Sequence, residues 1–165
     1  MSISDEIKIR VSGPDDAEFL FSLYLERRTP ELTAIGWSAD EIGSFLRLQY
    51  SLRRQAYEAR YKNAVFYLIE SNGRSVGELI TSRTREHILV IDIAISSEYR
   101  GLGFGSAAIR NLQAEAVEAD RSIILHVDRQ NIGARKLYEN LGFEIGEDSD
   151  QVTFEMTWKL NYNID

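Results

Sequence analysis

The chain has 165 residues, 26 acidic against 19 basic, a formal charge of −7, no cysteine and two histidines. That length suits a single domain, 1–165, able to bury about 70% of its unfolded surface without a staple. The composition excludes thiolate nucleophiles, disulfides and cysteine zinc sites, leaves too few histidines for a metal cluster, and argues against a nucleic-acid binder.

In chain order, Glu6 to Val11 alternates as a short first strand. Ser12 then reads as the cap of a helix that should stop before Pro30, with Asp15 three residues on. Ser38-Ala39-Asp40-Glu41 has the capping-box pattern and opens a second helix to about Tyr61. Thr29 to Trp37 is left as the connecting loop. Val65–Glu70 and Ser75–Thr81 are strand-like around Asn72-Gly73, a hairpin signal. Ile88–Ile95 is a strong fourth strand, Ala107–Ala119 a helix and Ser122–Val127 a strand. A helix over Asn131–Leu141 should end at a left-handed Gly142, with Phe143 packing back on it. Phe143–Gly146 and Val152–Lys159 complete the pattern. The order β-α-α-β-β-β-α-β-α-β-β implies an α/β fold: a mixed sheet with helices on both faces and the fourth and fifth strands as parallel neighbours. The first residues lack the basic start and apolar core of a signal peptide, and no run approaches the ~20 apolar residues of a membrane span. A cytoplasmic protein with no membrane association is expected.

The turn between the fourth strand and the next helix, Arg100-Gly101-Leu102-Gly103-Phe104-Gly105-Ser106, carries three alternate glycines. Bare N–H groups at a helix start suit an anion, which points to a phosphate-bearing cofactor held by main chain. A P-loop needs Lys-Ser or Lys-Thr after its glycines, and the dinucleotide fingerprint needs a different glycine spacing. From Tyr99 to Lys136 six basic residues stand against four acidic ones on an otherwise acidic protein, which favours an anionic ligand there.

Arg100-x-x-Gly103-x-Gly105, followed about 30 residues later by Asn131, Ala134, Tyr138 and Leu141-Gly142-Phe143, resembles the two signatures of the GNAT superfamily of acetyl-CoA-dependent N-acetyltransferases. The resemblance is close over Ile88 to Phe143. It implies a fourth strand splayed from its parallel neighbour, and the pyrophosphate of coenzyme A against the N–H groups of Arg100, Gly101, Gly103, Gly105 and Ser106. The pantetheine arm would pair with backbone at Ile93, Ala94 and Ile95. Asn131 would hydrogen-bond its amides, and Ala134 would leave room beside it. The implied activity is transfer of acetyl from acetyl-CoA to a primary amine of a small molecule or peptide by direct attack. A non-catalytic acyl-CoA sensor or interaction module on the same fold is the alternative.

Amine acetylation needs an uncharged nitrogen and a proton for the departing thiolate. Tyr138, a phenol of ordinary pKa about 10, suits the second role. It also falls on the apolar stripe Ala134, Leu137, Tyr138, Leu141, where it could be core. Asp92, which interrupts an apolar strand and needs partners there, and Glu78 are the candidate bases. His126 reads as a packed strand residue. Glu144, Glu147, Asp148 and Asp150 form an acidic late turn, whereas Arg47, Arg53, Arg54 and Arg60 lie along the second helix. These two charge signals oppose each other and name no acceptor. A homodimer through the last strands is conceivable.

Overall fold

A computed structural model describes residues 7–160. Its elements are β1 (Ile7–Val11), α1 (Ala17–Ala34), α2 (Ala39–Arg60), β2 (Val65–Ser71), β3 (Arg74–Arg83), β4 (His87–Ile95), α3 (Phe104–Ala119), β5 (Ser122–Asp128), α4 (Ile132–Asn140), β6 (Glu144–Ile145) and β7 (Thr153–Trp158). The strands form one mixed sheet, ordered β1-β2-β3-β4-β5-β7-β6, in which only β4 and β5 run parallel. Glu6, assigned from the pattern to the first strand, lies outside the described residues.

Local signals act where their chemistry dictates. Asn72 and Gly73 both have positive φ, 49° and 74°, so the β2–β3 connection is a two-residue turn whose twist matches the strands. The Ser38 hydroxyl accepts the Glu41 N–H, and Glu41 in return accepts the Ser38 N–H at 2.8 Å. Gly142 adopts φ 87° after α4, and the Phe143 N–H bonds back to the Tyr138 carbonyl while the two rings pack 5.8 Å apart.

Two helix boundaries differ from the sequence reading. Ser12 is not the cap: Gly13 caps a 3-10 turn over Pro14–Asp16, Asp16 is the N-cap of α1 itself, and the Asp16 carboxylate accepts the Gly13 N–H. Arg10 grips the same carboxylate with two nitrogens, each at 2.8 Å, and this holds its pKa down at about 2. Helix α1 also runs through Pro30 to Ala34. Pro30 lies on the exposed side, and one half-turn later Leu32 is buried with Tyr24, Ile42 and Leu46. That packing against α2 outweighs the one backbone bond that proline removes.

The sheet separates two cores. Ile88, Val90, Leu79, Ile123 and Leu125 pack under α3 and α4 with Phe104, Ile109, Leu112 and Tyr138. On the other face α1 and α2 pack on each other. A β-bulge in β4 arranges the boundary. Val90 pairs with Thr81 and Asp92 with Ile80, which leaves Ile91 as the extra residue. An unbroken alternation would put Asp92 on the same face as Ile88 and Val90, inside the apolar core. The bulge returns Ile93 and Ile95 to that core and turns Asp92 toward α1 and α2.

Gly77 lets β3 pass close to β4. A Cβ there would press into the Ala94 carbonyl oxygen and stand 2.8 Å from the Ile95 Cδ1. Gly77→Ala should therefore cost at least the ~1–3 kcal/mol typical of overpacking. Thermal unfolding should show a midpoint lower by about 2–12 °C, since each kcal/mol shifts a chain of this size by roughly 2–4 °C. An unchanged midpoint would mean that the two strands separate without cost.

Candidate active site

Parallel pairing of β4 with β5 runs from His87↔Ser122 to Val90↔Leu125 and then ends, although β4 continues to Ile95 and β5 to Asp128. The strands part where Ile91 bulges. The gap opens into a cleft of about 210 Å³ lined by Ile91, Asp92 and Ile93 from one strand and His126, Val127 and Asp128 from the other. Arg27 of α1 borders it on one side, and Asn131, Ala134 and Tyr138 of the α4 segment border it on the other. The cleft thus passes through the sheet.

At the β4 end the chain turns through a 3-10 segment, Ser97–Tyr99, into the glycine loop. Gly101 and Gly103 have φ of 75° and 90°, a region that a side chain would strain, so the glycines shape this turn. No side chain caps α3 at Gly103, and no acidic residue lies in its first turn. The N–H groups there remain directed outward, with the favourable end of the helix dipole behind them. Gly105 and Ser106 continue this first turn, half-buried. The Arg100 side chain folds back, and its Nε donates to the Ile95 carbonyl at 3.0 Å. The Ala94 carbonyl turns the other way, toward Gly77 of β3, so the backbone facing the gap is that of Ile93 and Ile95, the latter with one lone pair taken by Arg100. Glu26 of α1 braces the same corner, accepting the Ser97 N–H at 2.9 Å and the Ser96 hydroxyl at 3.3 Å.

Asn131 is the N-cap of α4: its Oδ1 accepts the Ala134 N–H at 3.1 Å. Its amide N–H₂ is left to face a ligand. Tyr138 is 8% exposed and belongs to the α3–α4 core, yet it also lines the cleft. One residue thus packs its ring in the core and forms part of the cleft wall. Burial, and then the charge of Asp92, push its phenol up to about 12.

Across the sheet, Asp92 is held by two guanidiniums. Arg27 Nη1 donates to it at 2.9 Å, and Arg53 Nη2 pairs with the same oxygen. Neither arginine is marked by a motif. Arg27 belongs to α1 and Arg53 to the row of four on α2, and only the long-range packing of both helices on β4 makes them partners. Arg53 is also packed against the rings of Tyr24 and Tyr57, at 5.4 and 5.0 Å. Glu78 is paired across the ladder with Ala94 and is 4% exposed. Burial pushes its carboxyl up to about 7, against the pull of Arg53 and with the repulsion of Asp92. Of the three sequence candidates, Tyr138 and Asp92 line the cleft, whereas Glu78 lies one strand away on β3 and is not among the residues that line it.

His126 sits at the rim, exposed, with Nε2 3.5 Å from a Glu155 oxygen across β7; it is not the packed strand residue expected. In the acidic late turn, Asp150 is spent on structure, accepting the Val152 and Thr153 N–H groups. Among the described residues no group of His, Asp or Glu is placed to hold a metal ion, and no helix is long and apolar enough to cross a membrane.

This chain is similar to several known proteins. An uncharacterized N-acetyltransferase of Methanocaldococcus jannaschii is 28% identical over 105 residues, which cover 56% of this chain and 67% of that protein. The crystal structure of PaiA N-acetyltransferase from Thermoplasma acidophilum in complex with coenzyme A superposes with a TM-score of 0.70 at 20% identity, over 94% of this chain and 99% of that one. Campylobacter jejuni N-acetyltransferase PseH in complex with acetyl coenzyme A gives 0.62 at 14% identity, over 94% and 100%. Residues 24–143 match the acetyltransferase (GNAT) family, a span that takes in α2, the splayed strands, the glycine loop and α4, and the chain belongs to that family.

Proposed function

We propose that the chain is a single acetyltransferase domain that moves an acetyl group from acetyl-CoA to a primary amine by direct attack within a ternary complex. The observation that carries this reading is the cleft through the sheet, with Tyr138 and Asp92 along its wall and an uncapped helix start following the end of β4. The residues fit the cofactor. Gly101 and Gly103 shape a turn of outward N–H groups for a diphosphate, and the unpaired edge of β4 beyond Val90 can accept an extended amide-bearing arm.

Acetyl-CoA would supply an acetyl group activated as a thioester, with a thiolate as the leaving group. N–H groups of Gly103, Gly105 and Ser106 would hold its diphosphate, and backbone at Ile93 and Ile95 with the Asn131 amide its pantetheine arm. Glu78, which does not line the cleft, is the candidate base because of its raised carboxyl. A carboxyl near 7 is about half ionised at neutral pH, which suits proton removal from an ammonium through an intervening water. Asp92, bonded to both Arg27 and Arg53, serves to fix the two guanidiniums. Tyr138 holds its proton throughout the working range and can donate it to the departing sulfur. Its high pKa does not spoil the match, because the same desolvation that raises a phenol also raises a thiol.

Two measurements test the reading. Coenzyme A at 100 times its dissociation constant should stabilise the fold by about 2.7 kcal/mol, visible as a thermal shift. Acetyl-CoA with a panel of amines should release free thiol. Stabilisation by coenzyme A with no thiol release from any amine would favour the non-catalytic sensor, and no stabilisation at millimolar coenzyme A would remove both readings.

A further inference from the structure

The cleft does not end at the sheet. On the α1–α2 side it adjoins a second cavity of about 290 Å³, lined by Tyr24, Arg27, Arg28, Arg53, Tyr57 and Asp92. Arg27 and Asp92 line both spaces, so the second cavity meets the first where the reacting atoms would lie. Its lining carries three guanidiniums and one carboxylate, a surplus reduced by two carboxyls outside the lining, Glu31 in an ion pair with Arg28 and the buried Glu78 acting on Arg53. Asp92 is shared by Arg27 and Arg53. The buried Nε of Arg28 hydrogen-bonds to no group among the described residues, and the nearest carboxylate, the largely exposed Glu31, stands 3.6 Å away.

A pocket with this surplus of positive charge repels an ammonium and lowers the pKa of any amine bound beside it, which favours the uncharged nucleophile. It attracts an acceptor that brings its own negative charge. Planar guanidiniums whose geometry is fixed, as Arg53 is between two tyrosine rings, are suited to carboxylate and phosphate oxygens. We infer that this cavity is the acceptor site and that it takes primary amines bearing an oxyanion, a carboxylate or a phosphate, a few bonds from the nitrogen, with Arg28 as the anchor for that anion. The inference rests on the acetyltransferase reading above and adds to it the class of acceptor.

Matched pairs of acceptors test it: an amino acid against its amide, phosphoethanolamine against ethanolamine, and putrescine as a dication. Thiol release should favour the oxyanion-bearing member of at least one pair by tenfold or more in kcat/KM, and the two pairs tell a carboxylate from a phosphate. Arg28→Gln should reduce that preference about tenfold. Calorimetric binding of the N-acetylated acid and of its amide to the coenzyme A-loaded protein should show the same preference without turnover. Equal or better use of the member without the oxyanion in both pairs, or putrescine as the best acceptor, would overturn the inference while leaving the acetyltransferase reading intact, as would a preference that survives Arg28→Gln. Failure of coenzyme A to bind, or of every amine to release thiol, would instead overturn the acetyltransferase reading, and this inference with it.

Discussion

Tyr138→Phe is expected to lower kcat by about 10²- to 10⁴-fold while leaving coenzyme A affinity and thermal stability close to those of the parent. The substitution keeps the ring, so its packing against Phe143 and within the α3–α4 core survives. It removes only the hydroxyl, to which no protein group among the described residues is hydrogen-bonded. A buried hydroxyl without a protein partner adds little to stability, so its conservation of function and its contribution to folding separate cleanly in this variant. Single-turnover measurements with saturating acetyl-CoA distinguish loss of chemistry from loss of binding. With the phenol near 12, no alkaline decline in rate should come from Tyr138 below about pH 11. Unchanged turnover in the phenylalanine variant would remove this residue from the mechanism and return it to the core alone.

The second large effect concerns Glu78→Gln, which should reduce kcat/KM by about 10²- to 10⁴-fold at pH 8. The parent should gain activity as pH rises through about 7, where Glu78 becomes ionised, and the variant should lack that rise. Stability should move the other way. The folded carboxyl titrates near 7 and the unfolded one near its ordinary 4.5, so its favourable contribution is complete below about 4.5 and is lost as pH rises through 7. Relative to Glu78→Gln, the parent should become less stable between pH 5 and pH 8. Asp16 works in the opposite sense, since its depressed pKa makes its contribution fade only as pH falls toward 2, well outside that window. If the two proteins keep a constant difference in midpoint from pH 5 to 8, Glu78 is not the buried acid described here. If the pH–rate profile is the same in both, it is not the base.

Much of this fold could be read from short-range chemistry, and the errors have a common cause. Where a few neighbouring residues decide the outcome, as at Ser38 and Glu41, Asn72 and Gly73, or Gly142 and Phe143, the expected caps and turns form. At Pro30 a local rule gives way to distant packing, because Leu32 has a core to reach beyond it. At Ser12 the side chain bonds instead to the Phe66 carbonyl on β2, and the caps pass to Gly13 and Asp16. The candidate site follows the same division. Tyr138, Asn131 and the glycine loop were marked by their spacing. Arg27, Arg28 and Arg53 were not, since on a helix surface arginines at such positions look like any solvated charge. What distinguishes them is Asp92 and the cavity beside it, 39 and 65 residues away along the chain for Arg53 and Arg27. The bulge at Ile91 was equally hidden, for its only trace in the sequence is a polar residue out of step with its apolar neighbours.

That extra residue has a consequence for the aperture itself. A chain one amino acid shorter, lacking Ile91, would keep Val90 and Ile93 on the core side and Asp92 opposite, so every group named here would retain its orientation. What it would lose is the bend. A straight β4 could carry on matching β5 rung by rung toward Asp128, and the slot would close like a fastened seam. The residue that does no chemistry is the one that keeps the door ajar.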